Sequence, residues 1–140
     1  MSKVAVVYWS GTGNTEAMAE AVADGIREKG GEAVILTAGE FDRSMIEDYD
    51  SIAFGCPSMG DEELEESEFA PMFESCKPDL AGKKIALFGS YGWGDGEWMR
   101  KWEKTCKKAG AVFACDFVIC NDAPDDDAVE KCRGLGKALV

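Results

Sequence analysis

Apolar residues along the chain fall into two alternating kinds of run. Short, nearly unbroken runs at residues 4–8, 32–37, 51–56, 83–89 and 112–120 have the length and composition of strands buried on both faces. Between them lie longer stretches with apolar positions three and four residues apart, at about residues 15–29, 69–76, 97–109 and from Pro124 onward, which predict helices. Trp98, Met99, Trp102 and Cys106 share one face of the third, and Val129, Cys132, Leu135 and Leu139 one face of the last, so both stripes read as core packing. Punctuation agrees with these limits: Gly30-Gly31 stops the first helix, and Pro57 ends the third strand. Pro71 makes the second helix start late or kink. Residues 41–49 read as a short helix or turn capped by Asp42 or Ser44.

Strands separated by helices imply an α/β fold, a parallel sheet covered on both faces and joined by right-handed crossovers. Ligands of such sheets bind beyond the carboxyl ends of the strands. The segments after the strands are therefore the place to look for chemistry: SGTGNT after the first, PSMGDEE after the third, SYGWGDG after the fourth and NDAPDD after the fifth.

The first of these, Trp9-Ser10-Gly11-Thr12-Gly13-Asn14-Thr15, joins a strand to a helix. Gly11 and Gly13 allow a tight turn whose N–H groups point inward, and the positive end of the helix faces the same spot. Ser10, Thr12, Asn14 and Thr15 add side-chain donors. The loop contains no Lys or Arg and matches neither GxxxxGK[ST] nor GxGxxG, so it predicts a cradle for one terminal phosphate held by hydrogen bonds alone.

Length and charge narrow the picture. At 140 residues the chain is expected to be a single domain, and no apolar window is long enough to span a membrane. The N-terminus runs straight into a strand without a signal-peptide pattern, so a cytoplasmic protein is expected. The formal net charge is −12, which argues against nucleic acid or an anionic membrane as a partner. The six cysteines have no CxxC spacing and the chain has no histidine, so they read as reduced core residues and no metal site is expected.

Three ordered motifs, YWSGTGNTE at residues 8–16, MGDE at 59–62 and LFGSYGWGDG at 87–96, resemble the flavodoxins, small FMN-carrying electron-transfer proteins, and within them the short-chain clostridial type. The likeness extends over essentially the whole chain. It implies a flavodoxin-like three-layer α/β/α sandwich around a five-stranded parallel sheet in the order 2-1-3-4-5. FMN would be bound non-covalently at its carboxyl edge. By this resemblance Trp9, Ser10, Gly11, Thr12, Gly13, Asn14 and Thr15 hold the phosphate. Trp93 covers the outer face of the flavin ring, Ser58 and Met59 the inner side, and Ser90, Tyr91 and Gly92 border the pyrimidine edge. Asn121 and Asp122 lie near the ring in the matching loop. The peptide between Gly60 and Asp61 flips toward flavin N5, which requires a positive φ at a central turn position, and Glu62 meets flavin N3–H. The acidic residues Asp61, Glu62, Glu63, Glu65, Glu66 and Glu68 would oppose a second electron and make the hydroquinone a strong reductant. They also have a plain reading as a solvated face.

The resemblance thus implies a low-potential one-electron carrier, not an enzyme, cycling between semiquinone and hydroquinone. Its expected partners are redox proteins with basic docking faces, oxidoreductases of pyruvate, hydrogen or NAD(P)H being candidates, and it is expected to be a monomer. An FMN-dependent reductase of the same fold would need open space over the ring, which Trp93 and Met59 would fill. A phospho-receiver would need an Asp closing the first and third strands and a Lys closing the fifth. The chain has Trp9-Ser10, Cys56-Pro57 and Asn121 at those places.

Overall fold

The computed structural model describes residues 2–140. Strand β1 (Lys3–Tyr8) leads into α1 (Asn14–Glu28), and the chain returns along β2 (Glu32–Thr37). Two 3₁₀ turns, Ala38–Glu40 and Arg43–Asp48, carry it to β3 (Ser51–Gly55). Then come α2 (Phe69–Cys76), β4 (Lys84–Tyr91), α3 (Glu97–Lys108), the short strands β5 (Val112–Phe113) and β6 (Val118–Asn121), and α4 (Asp126–Ala138). All pairings between these strands are parallel, in the order β2-β1-β3-β4-β5, and β6 also pairs with β4. This is the expected 2-1-3-4-5 order.

The register explains why the strands read as unbroken apolar runs. Side chains alternate between the faces of a strand, and here both faces are covered. Ala5, Ile52 and Ile85 form one transverse row, with Val7, Phe54 and Leu87 the next on the same face. This face packs on α2, α3 and the 3₁₀ turns. Its filling is aromatic: Phe73 meets Phe54 and Trp102 edge-on at ring separations of 5.3 and 5.6 Å, and Phe69 meets Trp102 at 5.4 Å. The opposite face presents Val6, Ala53 and Ala86 in a row, and these residues pack with Met18, Val22 and Ile26 of α1 and Cys132 and Leu135 of α4. Small residues in the middle of that row suit two helices lying close to the sheet and to each other.

Three details depart from the expected elements. The fifth strand is not continuous over 112–120 but divides into β5 and β6. From Ile85 to Phe88 strand β4 advances three residues, while its neighbour advances five, from Phe113 to Val118. Two extra residues therefore bulge out of the edge around the exposed Asp116, a place where sheets tolerate such insertions. Strand β4 also runs on through Ser90 and Tyr91, which pair with Cys120 and Asn121 of β6. The short helix or turn expected within 41–49 is present as the 3₁₀ turn Arg43–Asp48, with Asp42 accepting from the Ser44 N–H at 2.8 Å as its cap. Pro71 does not delay α2: it sits in the first turn, where its missing N–H costs nothing, and the helix already begins at Phe69. No helix among the described residues is long and apolar enough to cross a membrane.

Helices α1 and α4 touch through glycine. A Cβ on Gly136 would lie 2.1 Å from the Val22 carbonyl oxygen, and one on Gly25 2.0 Å from that of Arg133. Gly134, in the same helix, faces open space. An alanine gains up to about 1 kcal/mol of helix propensity over glycine, whereas forcing bulk into a close backbone contact costs about 1–3 kcal/mol or more. Gly136→Ala is therefore expected to lower stability and Gly134→Ala to raise it slightly, as measured by urea denaturation. Equal effects from the two would refute the close-contact account.

Candidate functional site

The carboxyl ends of β1, β3, β4 and β6 deliver four loops to one edge of the sheet. Between three of these loops and Asp122 of the fourth lies an open cleft of about 210 Å³. It is lined by Trp9, Ser10, Gly11, Thr12, Asn14 and Thr15 from the first loop and by Pro57, Ser58 and Met59 from the second. Ser90, Tyr91, Gly92 and Asp122 complete it. Pro57 is expected only as a strand stop, not in the site. It reaches the cleft because it is the residue that breaks β3 at the rim.

The first loop is built around the start of α1. Gly13 occupies the N-cap at φ 96°, a left-handed conformation that glycine adopts freely, and it supplies no capping side chain. Ser10 acts in its place: its Oγ accepts from the N–H groups of Gly13 at 3.1 Å and Glu16 at 3.3 Å. Trp9 folds over the loop, so close that a Cβ on Gly11 would touch its ring at 3.0 Å. Thr15 is buried at the floor, its hydroxyl 3.1 Å from that of Ser90, which ties the loop to the end of β4. Gly13 itself faces a second hollow behind the loop, bordered by Tyr8, Glu16, Thr37 and Glu68. Burial and then the hydrogen bond to Glu16 raise the Tyr8 phenol above its ordinary value.

The second loop is a tight hairpin. Met59 and Glu63 exchange backbone hydrogen bonds of 2.8 and 2.9 Å around Gly60, Asp61 and Glu62. Positive φ falls at Gly60 (52°) and Glu62 (56°), not at Asp61, so the turn's left-handed positions flank the aspartate instead of including it. Met59 is 38% exposed on the cleft wall. Gly60, Asp61 and Glu62 lie outside the cleft lining; Glu62 is half-buried with its carboxylate turned toward Glu97 at the start of α3. Trp93, on the third loop next to Gly92, is 61% exposed and also outside the lining. In the fourth loop Asp122, at φ 57°, is anchored by its N–H to the Tyr91 carbonyl at 2.8 Å. Asn121 faces a separate hollow beside Lys131.

The acidic run divides into unlike members. Asp61, Glu63, Glu66 and Glu68 are exposed, but Glu65 is buried. Its carboxylate accepts from the N–H groups of Ser67, Glu68 and Phe69 at 2.7–2.8 Å and from the Ser67 hydroxyl, capping α2. The Glu65 N–H in turn donates to Cys56 Sγ at 3.4 Å. Burial alone would raise this carboxyl, yet the hydrogen bonds outweigh it and hold the group below its ordinary value of 4.5. Burial pushes the Cys56 thiol far up, and it pushes that of Cys120 to about 11, so neither is a reactive thiolate. Among the described residues no cluster of His, Cys, Asp or Glu could hold a metal ion.

A neutral, donor-rich loop at a helix start, opening on a cleft with an exposed Met on its wall, has matching relatives. Residues 6–136 match the family model described as flavodoxin. The chain is 45% identical to the flavodoxin of Clostridium beijerinckii over 135 residues, which is 96% of this chain and 97% of that one. It is 42% identical to the flavodoxin of Megasphaera elsdenii over 137 residues, 98% of each. The solution structure of two-electron reduced Megasphaera elsdenii flavodoxin superposes with a TM-score of 0.90 at 43% identity, covering 97% of both chains. The chain belongs to the flavodoxin family. It is an FMN-binding electron-transfer protein, not an enzyme, and its partners are redox proteins.

The site suits a flavin nucleotide on its own chemistry. The cleft lining contains no cation, so an anion there must be held by amide and hydroxyl donors. Met59 stands exposed on the cleft wall, and Trp93 is exposed on the adjoining third loop, outside the lining.

Glu65 yields a pH prediction. A carboxyl held below its unfolded value contributes stability that is complete above about pH 5 and is lost as pH falls through the folded-state value. Glu65→Gln is expected to cost about 1–3 kcal/mol at pH 7. Its deficit against the natural chain should narrow in acid, as followed by urea melts from pH 7 to pH 3. A deficit that is constant with pH would contradict the cap.

Proposed function

We propose that FMN lies in this cleft with its phosphate in the first loop, and that the chain passes single electrons at low potential between larger redox proteins. FMN supplies the redox chemistry, storing and releasing electrons at its ring. Ser10, Thr12, Asn14 and the backbone N–H groups of Gly11 and Thr15 would hold the phosphate without a counter-charge, on a loop that Gly13 turns and Ser10 braces. Trp9 closes the loop from the side, and Thr15 and Ser90 brace its floor. Met59, with Ser58 beside it, meets the inner face of the ring and Trp93 the outer face. Ser90, Tyr91 and Gly92 border the pyrimidine edge, with Asn121 and Asp122 behind them. The Gly60 carbonyl would accept from flavin N5–H if its peptide turned inward, and Glu62 would receive N3–H through its backbone or the carboxylate oxygen not bonded to Glu97.

The single observation that supports this reading best is a cation-free donor loop at the α1 N-terminus opening on a cleft whose wall carries the exposed Met59. The exposed carboxylates Asp61, Glu63 and Glu66 make the addition of negative charge to the ring harder, an effect that salt weakens. The net charge of −12 favours partners with basic docking faces, reached by electrostatic steering and released quickly. Oxidoreductases of pyruvate, hydrogen or NAD(P)H are the candidates. The reading is completed by a monomeric, single-domain protein working in the cytoplasm.

An anaerobic reductive titration of the FMN-loaded chain tests the reading. Two separate one-electron steps are expected, the second at much lower potential. A single two-electron step, driven by NAD(P)H alone, would instead indicate a reductase. Trp93→Ala is expected to weaken FMN binding roughly 5- to 10-fold, the equivalent of about 1 kcal/mol of ring stacking, by fluorescence titration.

A further inference from the structure

We infer that Glu62 is a positioning residue: its carboxylate caps α3 from a distant loop and so latches the hairpin of residues 59–63 to the loop of residues 92–96. The inference rests on the proposed function and deepens it, since these two loops carry the contacts to the two faces of the ring.

Helix α3 begins without a cap of its own. Gly96 stands at the N-cap with φ 94° and has no side chain to offer. A Cβ there would come within 2.8 Å of Ile119 Cδ1, so a Ser or Asp is doubly disfavoured at this position. The nearest carboxylate in sequence, Asp95, is turned away: its Oδ1 pairs with Arg100 Nη2 at 3.0 Å, and its carbonyl accepts from Arg100 Nη1 at 3.1 Å. The free N–H at the start of the helix is answered from 35 residues upstream, where Glu62 Oε1 accepts from the Glu97 N–H at 3.1 Å. A carboxylate is well placed there, beside the positive end of a twelve-residue helix.

Two further features show that the contact is built in. The carboxylate lies over the Cα of Gly94, where a Cβ would come 2.5 Å from Oε1 and 2.6 Å from Cδ. Any larger residue at position 94 would push Glu62 off the helix. Glu62 also holds φ 56°, which non-glycine residues adopt at a cost, and the hairpin closed by Met59 and Glu63 fixes that geometry. Among the described residues no ion pair competes for the carboxylate. The hairpin is thus pinned at two points, by its own backbone bridge and by the Glu62 side chain on α3. The Gly60–Asp61 peptide is left between them as the part free to turn. Because the pin ends beside Gly94, the placement of Met59 and that of Trp93 are set by one side chain.

Amide hydrogen exchange and NMR on the flavin-free chain test the latch without relying on bound cofactor. Glu62→Ala is expected to speed exchange of the Glu97 N–H about 5- to 30-fold, the range of a lost cap, with Ala17 in α1 unchanged. Glu62→Gln keeps an acceptor oxygen and should restore protection to within about 3-fold of the natural chain. The Gly60 amide and Trp93 indole signals should shift together in Glu62→Ala and return in Glu62→Gln, while the urea midpoint of the Gln variant stays near that of the natural chain. Gly94→Ala should reproduce the Glu97 effect with Glu62 intact. Unchanged Glu97 exchange in Glu62→Ala, or movement of only one of the two loop signals, would overturn the inference. Loss of FMN binding by the natural chain would instead defeat the cofactor reading and leave these measurements standing.

Discussion

The hydrogen-bond donors left over at the start of α1 are the constraint on which the site depends. A helix begins with amide groups that have no partner within it, and most helices answer them with a side chain at the N-cap. Here the N-cap is Gly13, so the amides face the loop, and Ser10 reaches back to only two of them. Leaving such donors beside the positive end of a fifteen-residue helix is costly unless something anionic meets them. The rest of the fold holds this point in place. Trp9 bonds to the Gly55 carbonyl at the end of β3, and Thr15 bonds to Ser90 at the end of β4. The glycine contacts of α1 with α4 fix the helix from behind.

The same economy of charge separates binding from potential. Holding a phosphate with neutral donors leaves no positive charge in the cleft to stabilise added electrons. Exposed carboxylates at the rim would then oppose reduction, and the same field would attract a basic partner. Within that acidic rim two members do other work. Glu65 is consumed in capping α2 beneath the hairpin, and Glu62 reaches across to α3. A carboxylate next to the cofactor site therefore need not be a redox-tuning charge.

Much of this was legible in the chain. The strand runs and the glycine- and hydroxyl-rich loop before α1 are visible in periodicity and in the motifs at strand ends, and the 2-1-3-4-5 order is implied by the family likeness. What was not legible has specific causes. The apolar run at 112–120 looks like one strand, because a bulge is set by the register of its neighbour β4 and leaves no mark in hydropathy. Glu65 resembles the glutamates around it, and only the placement of α2 reveals it as a buried cap. The positive φ expected at a central turn position falls on Gly60, but closure of the hairpin at Met59 and Glu63 puts a second on Glu62, which no motif marks. Pro57 read as a strand stop and is also part of the cleft wall.

The central claim is that the phosphate is held by neutral donors within an acidic protein. The most direct test is the affinity of the flavin-free chain for FMN and for riboflavin as NaCl is raised from low to high concentration. The account predicts that FMN binds far more tightly than riboflavin. It also predicts that FMN affinity rises with salt, because screening relieves repulsion between the phosphate and a chain of net charge −12. An FMN affinity that falls as salt is added would mean that a cation holds the phosphate, and would contradict the account.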